Sequence, residues 1–483
     1  MSEKRVLLVN PPYDIQRYMG GLGKIGWVFP PIGLTYIASY VRKNLPSSKV
    51  DIFDFQVDSR DFAELISQYR PHIVGITCQS ALLYSTLDIS RILKGIDQSI
   101  FVVVGGVHAS IRPEDLISSQ DIDAVVRGEG EEVFCDLCRY LDDPEYLKDI
   151  AGITFKDKQN EIITNPDRPI PEKIDHYPMP ALDLIPLNKY RISPDLKMGN
   201  SFALILTSRG CPYNCIFCAN KLLTKRTYRL RPIESVIEEI EFYRNKYSIN
   251  QLIIIDDNFT VNRSRTIKLC DEFIKRGYDK SFNWWAEVRV DSLDEGLVLK
   301  MKQAGCSILS IGLESGNQRL LDLIEKGITI QQIKKAVGII SKSGIKSRAS
   351  IILGLPTETK EESMKTIKFA YSLPIDQVRF SIATPFPGTK LWDIAVKEGK
   401  IDPDNIDWTR LSLMGGYAKH DPLYYPENRL PGEIKRLQRM ANFFFFMRPS
   451  IIFGFLRRIR TFGDLKSLIR GFFHFLKSTI QTR

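Results

Sequence analysis

The stretch Arg209-Gly-Cys-Pro-Tyr-Asn-Cys-Ile-Phe-Cys-Ala-Asn220 sets Cys211, Cys215 and Cys218 in a C-x3-C-x2-C pattern, with no fourth cysteine close behind. A structural zinc site takes four ligands, commonly as paired C-x2-C knuckles, and no second knuckle follows here. Three thiolates can hold three irons of a [4Fe–4S] cube and leave the fourth iron open to an outside ligand. A cluster that only carries electrons is normally closed by four protein ligands. The spacing therefore predicts an iron–sulfur cluster at which something binds and reacts.

This segment resembles the radical SAM superfamily. The resemblance implies that S-adenosylmethionine chelates the open iron through its amino and carboxylate groups. It implies that the cluster then donates an electron and the sulfonium breaks to a 5′-deoxyadenosyl radical. Cys211, Cys215 and Cys218 become the metal ligands and the catalytic set, fed by an external electron donor of the flavodoxin or ferredoxin type.

The bulk numbers narrow the rest. A chain of 483 residues is too long for one core and predicts two or three domains. Five histidines are few for a histidine-rich metal site. Eight cysteines in so long a chain argue for a reducing cytoplasm, and no apolar segment with a cleavage site follows Met1. The net charge of +10 is concentrated at the end: residues 443–483 hold Arg448, Arg457, Arg458, Arg460, Lys466, Arg470, Lys477 and Arg483 against Asp464, which accounts for +7. The remainder is nearly balanced, so no nucleic-acid-binding core is implied.

The N-terminal third alternates short apolar runs with helical patterns. Strands are expected at Arg5–Asn10, Val50–Phe55, His72–Cys78, Ile100–Gly105 and Ala124–Arg127, with helices such as Ile32–Lys43 and Leu82–Lys94 between them. This predicts an open, doubly wound Rossmann-like α/β domain over residues 1–145, with ligands at the carboxyl ends of the strands. The loop after the first strand reads Asn10-Pro-Pro-Tyr-Asp14, which excludes a dinucleotide fingerprint. Gly20-Gly-Leu-Gly-Lys24 resembles a P-loop only superficially.

Ser80-Ala-Leu82 and Gly105-Gly106 together resemble the cobalamin-binding domain, which implies Ser80, Gly105 and Gly106 as cofactor contacts. The family's Asp-x-His-x-x-Gly is altered to Asp54-Phe-Gln-Val-Asp-Ser59, with Gln56 in the histidine position. Glutamine is a poor cobalt ligand beside imidazole, so cobalamin is expected to sit without a histidine below the metal. His108 is a weaker candidate for that ligand than for an ordinary loop histidine.

Residues 146–200 are proline-rich and read as an ordered linker. Strands are then expected at Phe202–Thr207, Gln251–Ile255, Asn283–Arg289, Ser307–Gly312, Ser347–Leu353 and Gln377–Ile382. Six strands with interleaved helices match a partial (β/α)6 barrel over 201–390, the usual radical SAM core. Function in such barrels gathers at the carboxyl ends of the strands. The resemblance implies S-adenosylmethionine contacts from Phe217, Arg289, Glu314 and Gly354. The bland alternative for Asp256, Asp257, Glu287 and Arg289 is ion pairing among themselves. Cys78, Cys270 and Cys306 read as small hydrophobes, and Cys135 and Cys138 as members of one helix.

Residues 391–483 form a helical C-terminal region, basic and aromatic, without a run long enough to span a membrane. It is a candidate for peripheral contact at the inner face of the membrane through 443–483, or for packing on the barrel. Taken together, the chain resembles the cobalamin-binding radical SAM enzymes. The expected reaction is C-methylation of an unactivated carbon on a hydrophobic or lipid-like small molecule. The alternatives are an oxidative cyclisation like that of the anaerobic magnesium-protoporphyrin ester cyclase and, in a different class, a non-catalytic iron–sulfur or cobalamin-responsive regulator.

Overall fold

A computed structural model describes residues 3–13, 27–193, 196–449 and 451–452. The glycine-rich stretch at 20–24 and the basic tail from 453 onward lie outside the described residues. The chain divides into two compact units.

The first unit comprises the residues up to Tyr13, Trp27–Ile192 and Leu222–Lys225. Its sheet has β1 (Arg5–Asn10), β2 (Lys49–Asp54), β3 (Ile73–Thr77), β4 (Phe101–Gly105), β5 (Ala124–Val126), β6 (Ile153–Lys156) and β7 (Ile162–Thr164) in the order 2-1-3-4-5-6-7. Strands β1–β5 are parallel, and β6 and β7 join antiparallel. Val6, Leu7, Leu8 and Val9 are all at most 1% exposed. A continuous apolar run is what a strand covered by helices on both faces requires. The order reverses between β1 and β3, where open α/β sheets hold ligands beyond the carboxyl ends of their strands.

The connector reading of the next segment needs one amendment. Its first part is the β6–β7 hairpin, which extends the sheet, and its later part returns to the same unit. Tyr190 donates its hydroxyl to the Asp54 carboxylate at 2.9 Å, and Arg191 bridges Val28.

The second unit holds β8 (Phe202–Ile205), a two-stranded ribbon of β9 (Ser208–Arg209) and β10 (Arg229–Leu230), then β11 (Gln251–Ile254), β12 (Asn283–Val288), β13 (Cys306–Glu314), β14 (Lys346–Leu353) and β15 (Gln377–Ile382). The six long strands are parallel and lie in sequence order from β8 to β15. They form the partial barrel, with the expected strand ends shifted by at most two residues. One face packs on helices: Trp284 is fully buried, edge-on to Phe259 and Phe273.

The open edge at β15 is covered by the helix Pro431–Phe446, which buries Ile434, Leu437, Ala441 and Phe445. Gln438 donates to the carbonyls of Phe380 and Leu413 at 2.7 and 3.0 Å, and accepts the Gly416 N–H at 2.6 Å. Asn442 accepts the Phe380 N–H at 3.3 Å. Unpaired strand groups thereby find partners, as an edge requires. Phe444 and Met440 remain exposed on the outer side of this helix. Among the described residues, no helix is long and apolar enough to cross a membrane.

Candidate active site

The cysteine loop follows the ribbon strand β9. Ile216 ties the loop to the barrel from both sides: its N–H donates to the Ile324 carbonyl and its carbonyl accepts from the Leu391 N–H, both at 3.1 Å. Cys215 is buried, and Cys211 and Cys218 are partly exposed. The three thiols act on one another electrostatically, and the backbone N–H groups of Tyr213 and Asn220 point at the sulfurs of Cys211 and Cys218. Burial raises the Cys211 thiol pKa and pushes that of Cys218 up to about 11. Bound iron reverses that balance, because a coordinating thiol is deprotonated outright.

Cations surround this loop. The Arg289 guanidinium lies 3.6 Å over the Tyr213 ring, with Nη1 4.0 Å from Cys215 Sγ. Its remaining nitrogens donate to the Asp291 carboxylate at 3.0 Å and to the Lys326 carbonyl at 2.6 Å. Arg289 therefore pairs with Asp291, not with Asp256, Asp257 or Glu287.

Lys326 Nζ lies 2.7 Å from Glu314 Oε1 and 6.0 Å over the Phe217 ring. Burial works against its charge, but Glu314 and Cys215 hold the ammonium above the ordinary lysine value. Glu314 adopts a left-handed φ of 60° at a register shift in β13. Residue 312 must be glycine for this arrangement: a Cβ there would strike the Glu314 carboxylate and approach Lys326 Nζ to 2.7 Å.

The two aspartates after β11 hold backbone in place. Asp256 accepts from the Thr207 N–H and hydroxyl and from the Ser208 hydroxyl, each at 2.6 Å. Asp257 accepts the Gly210 N–H at 3.1 Å, one residue before Cys211. Burial raises the pKa of both carboxyls. Gly354, with a left-handed φ of 78°, lies beside Ile434 and Pro426 of the C-terminal segment, and its N–H donates to the Glu358 carboxylate.

In the first unit, Ser80 lies in the turn after β3. His108 is fully buried, with Nδ1 2.9 Å from Ser80 Oγ and Nε2 3.2 Å from Asp115 Oδ2. The Asp115 contact is close but poorly aligned for a hydrogen bond. A histidine held this way cannot also serve a cobalt ion. Gly106, with φ 104°, brings the loop after β4 against the Cys78 backbone: a Cβ would come within 2.8 Å of the Cys78 carbonyl oxygen. Gly105 precedes it at the end of β4. Gln56 is half-buried, and its side chain makes no hydrogen bond among the described residues. Its neighbour Asp54 is fixed by Asn10 and Tyr190 at 2.9 Å.

These residues fit the groups that the motifs imply. Cys211, Cys215 and Cys218 lie on one loop within electrostatic reach of one another, as the three thiolates of one cluster would. Loops closed tightly after β3 and β4, with an uncommitted Gln56 amide after β2, suit a large flat ligand. Sequence reasoning missed Lys326, Asp291 and Asp115. Lys326 sits 12 residues past Glu314 in a loop, and no local pattern marks it.

Two family profiles match the chain: the Radical SAM superfamily over residues 205–370 and the B12 binding domain over residues 20–138. An uncharacterized methyltransferase of Pyrococcus horikoshii is 36% identical over 455 residues, covering 94% of each chain. The anaerobic magnesium-protoporphyrin IX monomethyl ester cyclase of Rubrivivax gelatinosus is 30% identical over 80% of this chain and 69% of its own. The solved structure of OxsB, a cobalamin-dependent S-adenosylmethionine radical enzyme, aligns over 99% of this chain and 72% of its own with a TM-score of 0.72 at 19% identity. The methyltransferase TsrM from Kitasatospora setae, with cobalamin and a [4Fe–4S] cluster bound, aligns over 90% of this chain and 85% of its own with a TM-score of 0.68 at 19% identity. These structures share the fold. The cysteine loop, the two sheets and the relatives together place this chain among the cobalamin-binding radical SAM enzymes, whose cofactors are a [4Fe–4S] cluster, S-adenosylmethionine and cobalamin.

Proposed function

We propose that this enzyme methylates an unactivated carbon of a small molecule. The observation that carries the reading is the convergence of Cys211, Cys215 and Cys218 beside Arg289 and the buried Lys326–Glu314 pair. The uncharacterized methyltransferase of Pyrococcus horikoshii, matching 94% of the chain, supports it. When bound, the cluster, S-adenosylmethionine and cobalamin supply a deoxyadenosyl radical and a transferable methyl group.

The protein's part is to bind and orient. Cys211, Cys215 and Cys218 would ligate the cluster. Asp257 fixes the turn before Cys211, and Arg289, braced by Asp291, sets a positive charge beside Cys215. Glu314 with Lys326, Phe217, Gly354 and the Arg289 Nη1 would hold S-adenosylmethionine. Ser80, Gly105, Gly106 and Gln56 would hold cobalamin, with no protein imidazole below the metal. The proposed division of labour is cobalamin binding in 1–145, a linker over 146–200, radical chemistry in 201–390 and a helical region over 391–483. An external flavodoxin or ferredoxin would supply the electron. A hydrophobic substrate and contact of 443–483 with the inner membrane surface complete the reading.

The second reading is an oxidative cyclisation, favoured by the cyclase relative at 30% identity. One experiment separates the two. Reduced, reconstituted protein is given S-adenosylmethionine labelled in its methyl group and a metabolite extract from cells lacking the protein. The methylation reading expects 5′-deoxyadenosine and one product carrying the label. An unlabelled product that has lost hydrogen or gained oxygen would select the cyclase. Neither product, with no 5′-deoxyadenosine, would overturn both.

A further inference from the structure

The helix-free face of the barrel sheet carries two arginines that the cofactor roles above do not use. Along β14, Lys346, Arg348, Ser350 and Ile352 are half-exposed, while Ser347, Ala349, Ile351 and Leu353 are buried. Parallel pairing sets Arg348 beside Ser310 of β13 and Gln377 of β15, and Ser310 beside Glu287 of β12. The next row sets Ser350 beside Gly312 and Arg379. Paired residues share a face of the sheet, so Glu287, Ser310, Arg348, Ser350 and Arg379 form one polar strip.

Arg379 is the informative member. It is half-buried in mid-strand and makes no hydrogen bond or ion pair among the described residues, and its Nε is closed from solvent without a partner. Burial first, and then the charge of Arg348, push its guanidinium below the ordinary arginine value, while Glu287 and Glu314 pull the other way. Glu314 is already matched by Lys326 at 2.7 Å. Burying part of a guanidinium without a contact partner is unfavourable, so a fold keeps one where something else supplies the counter-charge. The guanidinium fork matches the paired oxygens of a carboxylate or phosphoryl group, and the Ser310 and Ser350 hydroxyls flank it on the same face.

We propose that this strip recognises the substrate, and that Arg379, flanked by Arg348, Ser310 and Ser350, binds an oxyanionic group that the acceptor molecule carries. The inference rests on the enzyme reading only in taking this face as the substrate side. It narrows the substrate class to an acid: a hydrophobic acceptor would have to end in a carboxylate or phosphoryl group, and a neutral hydrocarbon is excluded.

The test uses holoprotein saturated with cobalamin and S-adenosylmethionine, so that the cofactor's own carboxylate is already accommodated. Acetate and methylphosphonate are the probes, with dimethyl methylphosphonate as the uncharged control. Phenylglyoxal modification of Arg379 is followed by mass spectrometry, and binding by calorimetry. An anion at about twice its dissociation constant should slow modification about three-fold, and the neutral ester should not. Arg379→Gln should abolish the heat of anion binding, and Arg379→Lys should keep part of it, while cluster absorbance and cobalamin content stay at wild-type levels. Protection by acetate, by methylphosphonate or by both identifies which oxyanion the strip prefers. Absence of binding for both anions, or unchanged binding in Arg379→Gln, overturns the proposal. Absence of 5′-deoxyadenosine from the wild-type holoprotein with anion binding intact would instead count against both readings of the reaction and leave the strip standing.

Discussion

Lys326 Nζ lies 2.7 Å from Glu314 Oε1 with both side chains buried, in space that exists only because residue 312 has no Cβ. Removing one member of a buried pair leaves the other charge stranded, at a cost of about 3–5 kcal/mol. Lys326→Met should lower stability by that order in urea unfolding and abolish S-adenosylmethionine binding. Lys326→Met combined with Glu314→Gln should recover most of the stability but not the binding. Full loss of stability in the double variant would show that the pair is not what holds this region.

Ser80, His108 and Asp115 form a buried relay in the cobalamin-binding unit. The His108 ring, 2.9 Å from Ser80 Oγ, fixes where the Ser80 hydroxyl sits. His108→Ala should weaken cobalamin binding about ten-fold, equal to roughly 1.4 kcal/mol, with the cluster spectrum unchanged. Equilibrium dialysis reads the affinity, and wild-type binding in His108→Ala would rule the relay out.

Burial raises the Glu358 carboxyl to about 7, although it accepts the N–H groups of Gly354 and Leu355. An unfolded glutamate titrates near roughly 4.3. Between these values the folded chain holds the proton that the unfolded chain has lost. Stability should therefore fall as pH rises from about 4.3 to 7, by about 4 kcal/mol at most, and level off above. Urea midpoints measured across that window should flatten in Glu358→Gln. An unchanged slope would assign the pH dependence to other groups.

Gln438 joins the C-terminal helix to the open barrel edge through Phe380, Leu413 and Gly416. Gln438→Leu strands the Gly416 N–H and leaves the Phe380 carbonyl only the Asn442 amide at 3.5 Å, while the Leu413 carbonyl keeps the Ile382 N–H at 2.9 Å; the stranded group should cost about 1–3 kcal/mol. Light scattering on heating should also show earlier aggregation, because a bared strand edge pairs with other chains. Unaltered scattering would mean that the apolar contacts of Ile434 and Phe445 suffice to cover the edge.

Much of this architecture was legible in the sequence because it depends on local pattern. The strand runs Arg5–Asn10 and Gln377–Ile382 form as read, the first because a strand covered on both faces is continuously apolar, the second because its apolar residues alternate with polar ones. The cysteine spacing was legible because ligand geometry acts over a few residues. What escaped was non-local. Arg289 meets Asp291 because β12 ends in a short turn, and Lys326 reaches Glu314 only through the bulge at Gly312. His108 read as a loop histidine, and the fold buries it completely between Ser80 and Asp115. Pro431–Phe446 read as helical, and its inner face covers β15; the membrane-or-packed alternative concerns 443–483, most of which lies outside the described residues.

The central claim is that the cysteine loop of this chain starts radical chemistry with S-adenosylmethionine. The most direct test is to reduce the reconstituted protein, loaded with cobalamin, in the presence of S-adenosylmethionine and to quantify 5′-deoxyadenosine. The account predicts that the wild-type protein forms it and that Cys218→Ala, with cobalamin content unchanged, does not. Equal amounts from both proteins, or none from the wild type even with candidate substrates, would contradict it.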